Sequence, residues 1–554
     1  MYLLRFVKIN LVAFFLTLSL AAAFANTDIA LISPKTGSNS GSPVFYEATA
    51  TSTCANGIAA MRIYAAPHVS AYTVNGAHIE TFVNLKPGTY NTVVQAWDNC
   101  GGVAKVPVTV TVNSTAQVSV FLPADFNSAS PAHFAASAQN PACPAGIAAM
   151  RIYTSWGVTP YTVDSNKLNA YVVLKAATYD ATVQAWDNCG DVLKTNFQLR
   201  SSGADEDSYV YTDSQYGVIS QFDVLASGKL ANPNGSGNPP QFPSGLGSTN
   251  MALDPGGWFA YAGAKDAIYA YQINHPNGAL VPVQGSPYSL SGYDFIFSDP
   301  AGNFLYVIYN NFKSIASYRI DRSSGALTMT ASLTPGPLFN TLCPDPYGQF
   351  LYAGTSTGQI YGYKVNPDSG ALTTAPGSPY AVPNAAGIFA LTSAYQYLYA
   401  GVTTTGAPEI DAYEISYNSG YLSAVPGSPY SAPDSGLESQ SVLADWLARY
   451  LWTANETAGS DSFSFWEFDI DGYTGSLGPG NYIPVRSSPV FELAEGHAAN
   501  VVYSAGTTCG TMTCEAKVDS WAIDGSGLLV HLSGPLSTGT QIPTGIAVER
   551  GNPQ

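Results

Sequence analysis

The sequence predicts an all-β protein: two tandem β-sandwiches, then a ring of seven four-stranded sheets closed by the C-terminal strand. Three observations carry this expectation. A block with two cysteines and a tryptophan occurs twice with a constant offset of 89 positions. Further on, a four-residue phrase returns seven times at intervals of 45 to 55 residues. Both regions consist of short apolar or alternating runs bounded by Gly, Pro and Asn, the pattern of strands and turns and not of helices.

Composition sets the frame. The chain has 554 residues, more than one hydrophobic core organises, so several domains are required. Charged residues are 11% and apolar residues 46%, which excludes a disordered chain, and Gly 52 with Pro 37 demands many turns. The formal charge is -17, and nucleic acid is excluded as a partner because phosphate contact needs clustered Lys and Arg.

The opening text, MYLLRFVKINLVAFFLTLSLAAAFAN, carries Arg5 and Lys8, an apolar run, and small residues ending at Ala23-Phe24-Ala25. Residues 1–25 read as a signal peptide cut after Ala25, which places the mature chain in the periplasm or outside the cell. No later run is long and apolar enough to span a bilayer.

The first repeat aligns CANGIAAMRIYAAPHVSAYTV from Cys54 with CPAGIAAMRIYTSWGVTPYTV from Cys143, and VVQAWDNCGG with TVQAWDNCGD. Two domains follow, 26–113 and 114–200, each with enough short strands for an immunoglobulin-like sandwich. Trp97 and Trp186 stand three residues before the second cysteine, unlike the buried Trp of conventional immunoglobulin domains, so the resemblance is to such modules in a broad sense. In an oxidising compartment Cys54 with Cys100 and Cys143 with Cys189 are the expected disulfides. No histidine recurs beside these cysteines, and no metal site is expected there.

After a polar joint at 201–207 the second repeat begins: SGKL at 227, NGAL at 277, SGAL at 324 and 369, SGYL at 419, TGSL at 474 and SGLL at 526. This period in a strand-rich text indicates a β-propeller over 208–554. Each copy closes a hairpin, where Gly tolerates the positive φ that a Cβ resists. The inner strands read MAL, FIF, TLC, IFAL, SVLA, FEL and IAV, apolar as expected of strands covered on both faces. TGIAVERGNP at 544–553 ends without a second strand, and DSYVYTDSQYGVISQFDV from Asp207 lacks an inner one, so the C-terminal strand should complete the first sheet and protect two open edges.

Phrases such as GNFLYVIYNNFKSIASYRIDRSSGALT and GQFLYAGTSTGQIYGYKVNPDSGALTTAPGSPY resemble the seven-bladed lactonase family, typified by 6-phosphogluconolactonase of the propeller type. The resemblance covers about 205–554 and rests on scaffold phrases. It implies a propeller and, with it, lactone hydrolysis as an activity; no catalytic residue carries over.

Aligned inner strands begin at Thr544, Thr249, Asp294, Asn340, Gly387, Gln440 and Phe491, a neutral polar ring at the channel mouth. Thr249, Asp294, Asn340, Gln440 and Thr544 are the candidate ligand-binding residues. Asp294 is the candidate base for activating water, with no Arg or His in the ring to stabilise an oxyanion. His275, His497 and His531 are expected in turns or an outer strand. GTSTG around Ser356 matches a nucleophile-elbow pattern but lies between strands, and DIDG at 469–472 aligns with ordinary turns. Cys509 and Cys514 should form a local disulfide, leaving Cys343 as a buried thiol. No cofactor is expected.

The leading expectation is an exported binding protein whose propeller engages a glycan, small metabolite or protein, held out on two spacer modules. An exported sugar-lactone hydrolase and a purely structural surface protein are the alternatives.

Overall fold

A computed structural model describes residues 26–549 except 55, 66–71, 155–160, 173, 175, 205–207, 249, 276, 293–294, 405–407, 417, 432–436, 458–462, 486–489, 497–499, 510–513, 533–534 and 540–542. The expected signal segment, Thr249, Asp294 and His497 therefore lie outside the described residues. Those described form strands and turns with a single 3-10 turn at Ala124–Phe126, and no helix among them is long and apolar enough to cross a membrane.

The first cysteine-bearing block folds as two facing sheets. Thr27–Ser33, Val44–Ser52 and His78–Val83 make one; Ser38–Ser40, Val103–Val112, Gly88–Asp98, Ile58–Tyr64 and Tyr72–Asn75 make the other in that spatial order. Alternation along the strands sends Val44, Tyr46 and Ala48 inward from the first sheet against Met61, Ile63, Val94 and Val108 of the second, in one buried core. The second block repeats the arrangement: Lys167–Val172, Ala132–Gln139 and Gln117–Leu122 face the five-stranded sheet of Asn127–Ser130, Val192–Ala204, Ala177–Asp187, Ile147–Tyr153 and Thr162–Val163. Cys54–Cys100 and Cys143–Cys189 are bonded, each closing 46 residues of sequence separation. Val192–Ala204 runs beyond residue 200, into the stretch that composition suggests is a joint.

From Tyr209 onward the strands form successive antiparallel sheets, most of them built from strands consecutive in sequence. The exception is the first of these sheets. Pro543–Glu549 pairs antiparallel with Tyr209–Ser214, from Tyr209 opposite Glu549 to Ser214 opposite Pro543, so the end of the chain completes the sheet that begins there. The innermost strands Asn250–Leu253, Phe295–Ser298, Phe339–Pro344, Gly387–Ala394, Leu437–Ala444, Val490–Gly496 and Pro543–Glu549 each touch the next, and the last touches the first. The result is a closed ring about a central channel.

The repeated phrase acquires its physical meaning between neighbouring sheets. Its glycine carbonyl accepts a hydrogen bond from a side chain on the preceding sheet: Tyr211 to Gly278 at 2.7 Å, Tyr261 to Gly325 at 3.2 Å, Ser317 to Gly370 at 2.8 Å, Tyr352 to Gly420 at 2.9 Å, Tyr399 to Gly475 at 3.1 Å and Trp452 to Gly527 at 3.1 Å. Tyr503 to Gly228, at 3.2 Å, carries the pattern across the closure. GSPY serves the same sheet before the chain moves on. Ser286, Ser378 and Ser428 accept from the backbone N–H of Ala270, Gly362 and Ala412, and the following tyrosine re-pairs with the third strand. The outer edge is thus made in two pieces, and backbone donors left between them are satisfied.

The two sandwiches are docked against the propeller. Tyr171 N–H donates to the Ala301 carbonyl at 3.4 Å, Asn303 Nδ2 to the Tyr161 hydroxyl at 2.8 Å, and Asn75 Nδ2 to Gln284 Oε1 at 2.6 Å. The turns around Asp254–Trp258 and Ala301–Asn303 follow the inner strands Asn250–Leu253 and Phe295–Ser298, at the ends opposite to their starts, and Tyr72 meets Ser323 in the turn after Ser314–Ile320.

Candidate functional site

The inner strands enclose a cavity of about 560 Å³ whose lining draws on all of them, from Asn250, Phe295 and Thr544 at one end to Pro255, Pro300 and Trp446 at the other. Partly exposed Phe295, Phe297, Phe389 and Leu443 give it an apolar, aromatic wall. Inner strands of adjacent sheets do not pair through their backbones, and side chains bridge them instead. Asn250 Nδ2 donates to the Ile296 carbonyl at 2.8 Å while its Oδ1 accepts from Ile296 N–H at 3.0 Å. Ser393 Oγ donates to the Pro344 carbonyl at 2.9 Å, and Thr392 Oγ1 accepts from Ala444 N–H at 3.1 Å.

Two carboxyl groups line this cavity from one strand. Glu492 Oε2 accepts from Ile546 N–H at 3.0 Å; burial, aided by nearby Asp213, pushes its carboxyl up to about 8. A carboxyl raised this far favours its protonated form at neutral pH, in which it can donate a hydrogen bond. At the other end Glu495 accepts from Trp446 N–H at 2.8 Å, and burial together with Asp445 raises it well above the usual carboxylate range. Asp445 holds the charge of that pair, because Arg449 grips it through Nε at 2.7 Å and Nη2 at 3.1 Å.

No protein-family profile matches the chain, and no curated protein matches its sequence. Solved structures do resemble it. The periplasmic gluconolactonase of Pseudomonas aeruginosa superimposes with a TM-score of 0.51 at 13% identity, covering 62% of this chain and 98% of its own. A putative 6-phosphogluconolactonase from Bacteroides uniformis gives a TM-score of 0.50 at 12% identity over 62% and 99%. The ring has a lactonase-like propeller fold. At such identities the likeness extends to the fold alone.

The propeller distributes the sequence-predicted residues unevenly. Thr544 lines the cavity, with its hydroxyl donating to the Ser248 carbonyl at 3.0 Å. Asn340 donates to the Ile388 carbonyl at 3.2 Å and bridges two inner strands. Gln440 lies in Leu437–Ala444, with its side chain outside the described set, as is the case for Phe491, Cys509 and Cys514; the backbones of the two cysteines stand opposite one another. Cys343 is buried, and burial lifts its thiol to about 12, which keeps it inert. His275 packs edge-on against Trp258 and lies 3.6 Å from Glu549, and His531 bonds Asp519 at 2.8 Å, both away from the channel lining. Ser356 follows Phe350–Thr355 in a turn between strands, as the alignment predicts.

Sequence reasoning missed Asn250 and Glu492, each one position beyond a residue it singled out. The signal for Glu492 was present: a lone carboxylate inside the apolar run FEL.

Proposed function

We propose that this is an exported binding protein in which a seven-bladed propeller takes a small, uncharged sugar-like metabolite into its channel, with two immunoglobulin-like modules docked at the opposite end. The observation that carries this reading is the cavity lining itself, which holds Phe295, Phe297 and Phe389 together with Glu492, whose carboxyl burial pushes up to about 8. Aromatic faces cover the C–H surface of a sugar ring, and a neutral carboxyl both donates and accepts for its hydroxyl groups. An anionic ligand would oppose ionisation of Glu492 and gain nothing from it, so neutral sugars and lactones fit better than phosphorylated ones. The two disulfides are compatible with an oxidising compartment.

Calorimetric titration with neutral monosaccharides, aldonates and aldonolactones tests this. Saturable binding weakened about five- to thirtyfold by Phe297→Ala and by Glu492→Gln is the expected result, since loss of an aromatic contact or a buried hydrogen bond costs about 1–2 kcal/mol. No binding across the panel would sink the reading.

The likeness to a periplasmic gluconolactonase favours a second reading, lactone hydrolysis. In that reaction water adds to the lactone carbonyl and the ring C–O bond breaks to give the hydroxy acid. Glu492 would protonate the departing ring oxygen, and Asp294 is the sequence-derived candidate for activating water. Opening of glucono-δ-lactone above background, abolished by Asp294→Asn, would establish this reading; binding without turnover would leave the first.

A further inference from the structure

Away from the channel, a cluster of buried charged groups lies at the junction where both sandwiches meet the propeller. Glu47 and Glu80 stand directly opposite on the paired strands Val44–Ser52 and His78–Val83. Like charges in that position repel, and both residues are buried, at 1% and 6% exposure. His78, fully buried, sits beside them, and His133 of the second sandwich closes the group at 6% exposure.

The orientation of His78 is informative. Its Nδ1 lies 3.1 Å from the Arg322 carbonyl oxygen, which can only accept, so Nδ1 carries the hydrogen. Its Nε2 then faces Glu47 Oε1 at 3.4 Å and Glu80 Oε2 at 4.0 Å. The ring is pinned by stacking on Trp258, 4.3 Å between centroids and 4° between planes. A histidine whose second nitrogen is held by a carbonyl and whose lone pair meets carboxylates has the arrangement of a metal ligand.

Two further observations point to something between these groups. Glu47 Oε2 and His133 Nδ1 are buried with no hydrogen-bond partner, 3.5 Å apart. Glu80 divides its oxygens: Oε1 is taken by Asn169 and by Arg322 at 3.5 Å, while Oε2 turns to His78. Of the two carboxylates Arg322 pairs with Glu80, and it also spends donors on the Ala301 carbonyl at 2.6 Å and on Asn169 at 2.9 Å. One atom each of Glu47, His78 and Glu80 falls within a 4.8 Å span. Bonds of about 2.0–2.1 Å to one tetrahedral zinc ion would put neighbouring ligand atoms about 3.3 Å apart; His78 and Glu47 already stand at 3.4 Å, and Glu80 would have to close in from 4.0 Å.

We propose that Glu47, His78 and Glu80 form a binding site for a divalent transition-metal ion of the Zn2+ type, with His133 at its margin, which fastens the first sandwich into the junction. Mixed nitrogen and carboxylate donors select such an ion over Ca2+ or Mg2+, which take oxygen donors.

The test uses untagged full-length protein stripped with chelator. After incubation with Zn2+ and desalting, elemental analysis should give one zinc per chain, and the thermal midpoint should rise by at least about 2 °C and fall again with EDTA. Co2+ in place of Zn2+ should give the visible absorption of low-coordinate cobalt, a readout on unmutated protein. Glu47→Gln and His78→Gln should each abolish the zinc, while His531→Gln, at the exposed Asp519 pair, should retain it. Unmutated protein holding less than about a tenth of an equivalent, with an unmoved midpoint, would overturn the site and leave a proton on His78 as the neutralising charge. Full zinc content in a folded Glu47→Gln protein would overturn it equally.

Discussion

The hydroxyl of Tyr352 donates to the carbonyl of Gly420 on the next sheet at 2.9 Å, and Gly420 holds φ at +71° with its α-carbon against the Phe350 ring. A Cβ there would lie 2.3 Å from that ring. Gly420→Ala should therefore destabilise the propeller by about 2–4 kcal/mol, adding steric overlap to the left-handed penalty. Gly235→Ala, at φ +71° but in open space, should cost only about 1 kcal/mol. Tyr352→Phe should cost about 1–2 kcal/mol for the stranded carbonyl. Urea unfolding of the three variants separates these contributions.

Arg322 joins all three parts of the molecule. It donates to Ala301, Gly302 and Asn169, pairs with Glu80 and lies over the Tyr171 ring at 4.7 Å. Arg322→Met should leave Glu80 buried without its cation and weaken the junction by about 3–5 kcal/mol. Scanning calorimetry should then show the sandwich transition moved to lower temperature relative to the propeller transition; a superimposable trace would refute this.

Acidity should change stability in two opposite directions. Glu492 and Asp213, raised by burial to about 8 and about 7, hold protons in the folded state that the unfolded chain releases above about pH 4. Folding binds more protons in this window, so stability should fall as pH rises from about 5 to 8. Glu492→Gln should flatten part of that slope.

Glu80 behaves in the reverse sense. Burial alone would raise its pKa, but Arg322, His133 and His78 together with Asn169 bring it below the usual value. Its contribution is present above the unfolded pKa near about 4 and is lost as pH falls further. A thermal midpoint measured from pH 3 to 8 should peak in the weakly acidic range.

Each disulfide closes a loop of 46 residues of separation, worth about 4 kcal/mol to its sandwich on the chain-entropy estimate. Reduction, or Cys143→Ser with Cys189→Ser, should lower the urea midpoint of the sandwich transition and leave the propeller transition unchanged. Equal loss in both would show that the junction couples them into one unit.

Much of this architecture was legible in the text because its causes are local. The 89-residue offset marks a duplicated block, and each SGxL glycine marks a hairpin that needs positive φ, whatever lies beyond it. The unpaired strand text at 544–553 and the missing inner strand before Asp207 together implied the pairing seen between Tyr209 and Glu549. What each SGxL carbonyl receives from the preceding sheet was not legible, since the donor stands 53 to 76 positions away, or 275 at the closure.

The sequence by itself determined the strand-and-turn grammar, the two cysteine-bonded blocks and the closed series of sheets, because periodicity and turn chemistry act over a few residues. Tertiary structure alone decided that Glu47, His78, Glu80, His133 and Arg322 share one buried place, and that burial raises the Glu492 carboxyl. Burial and electrostatic environment are set by whatever distant segments arrive alongside, and no local pattern records them.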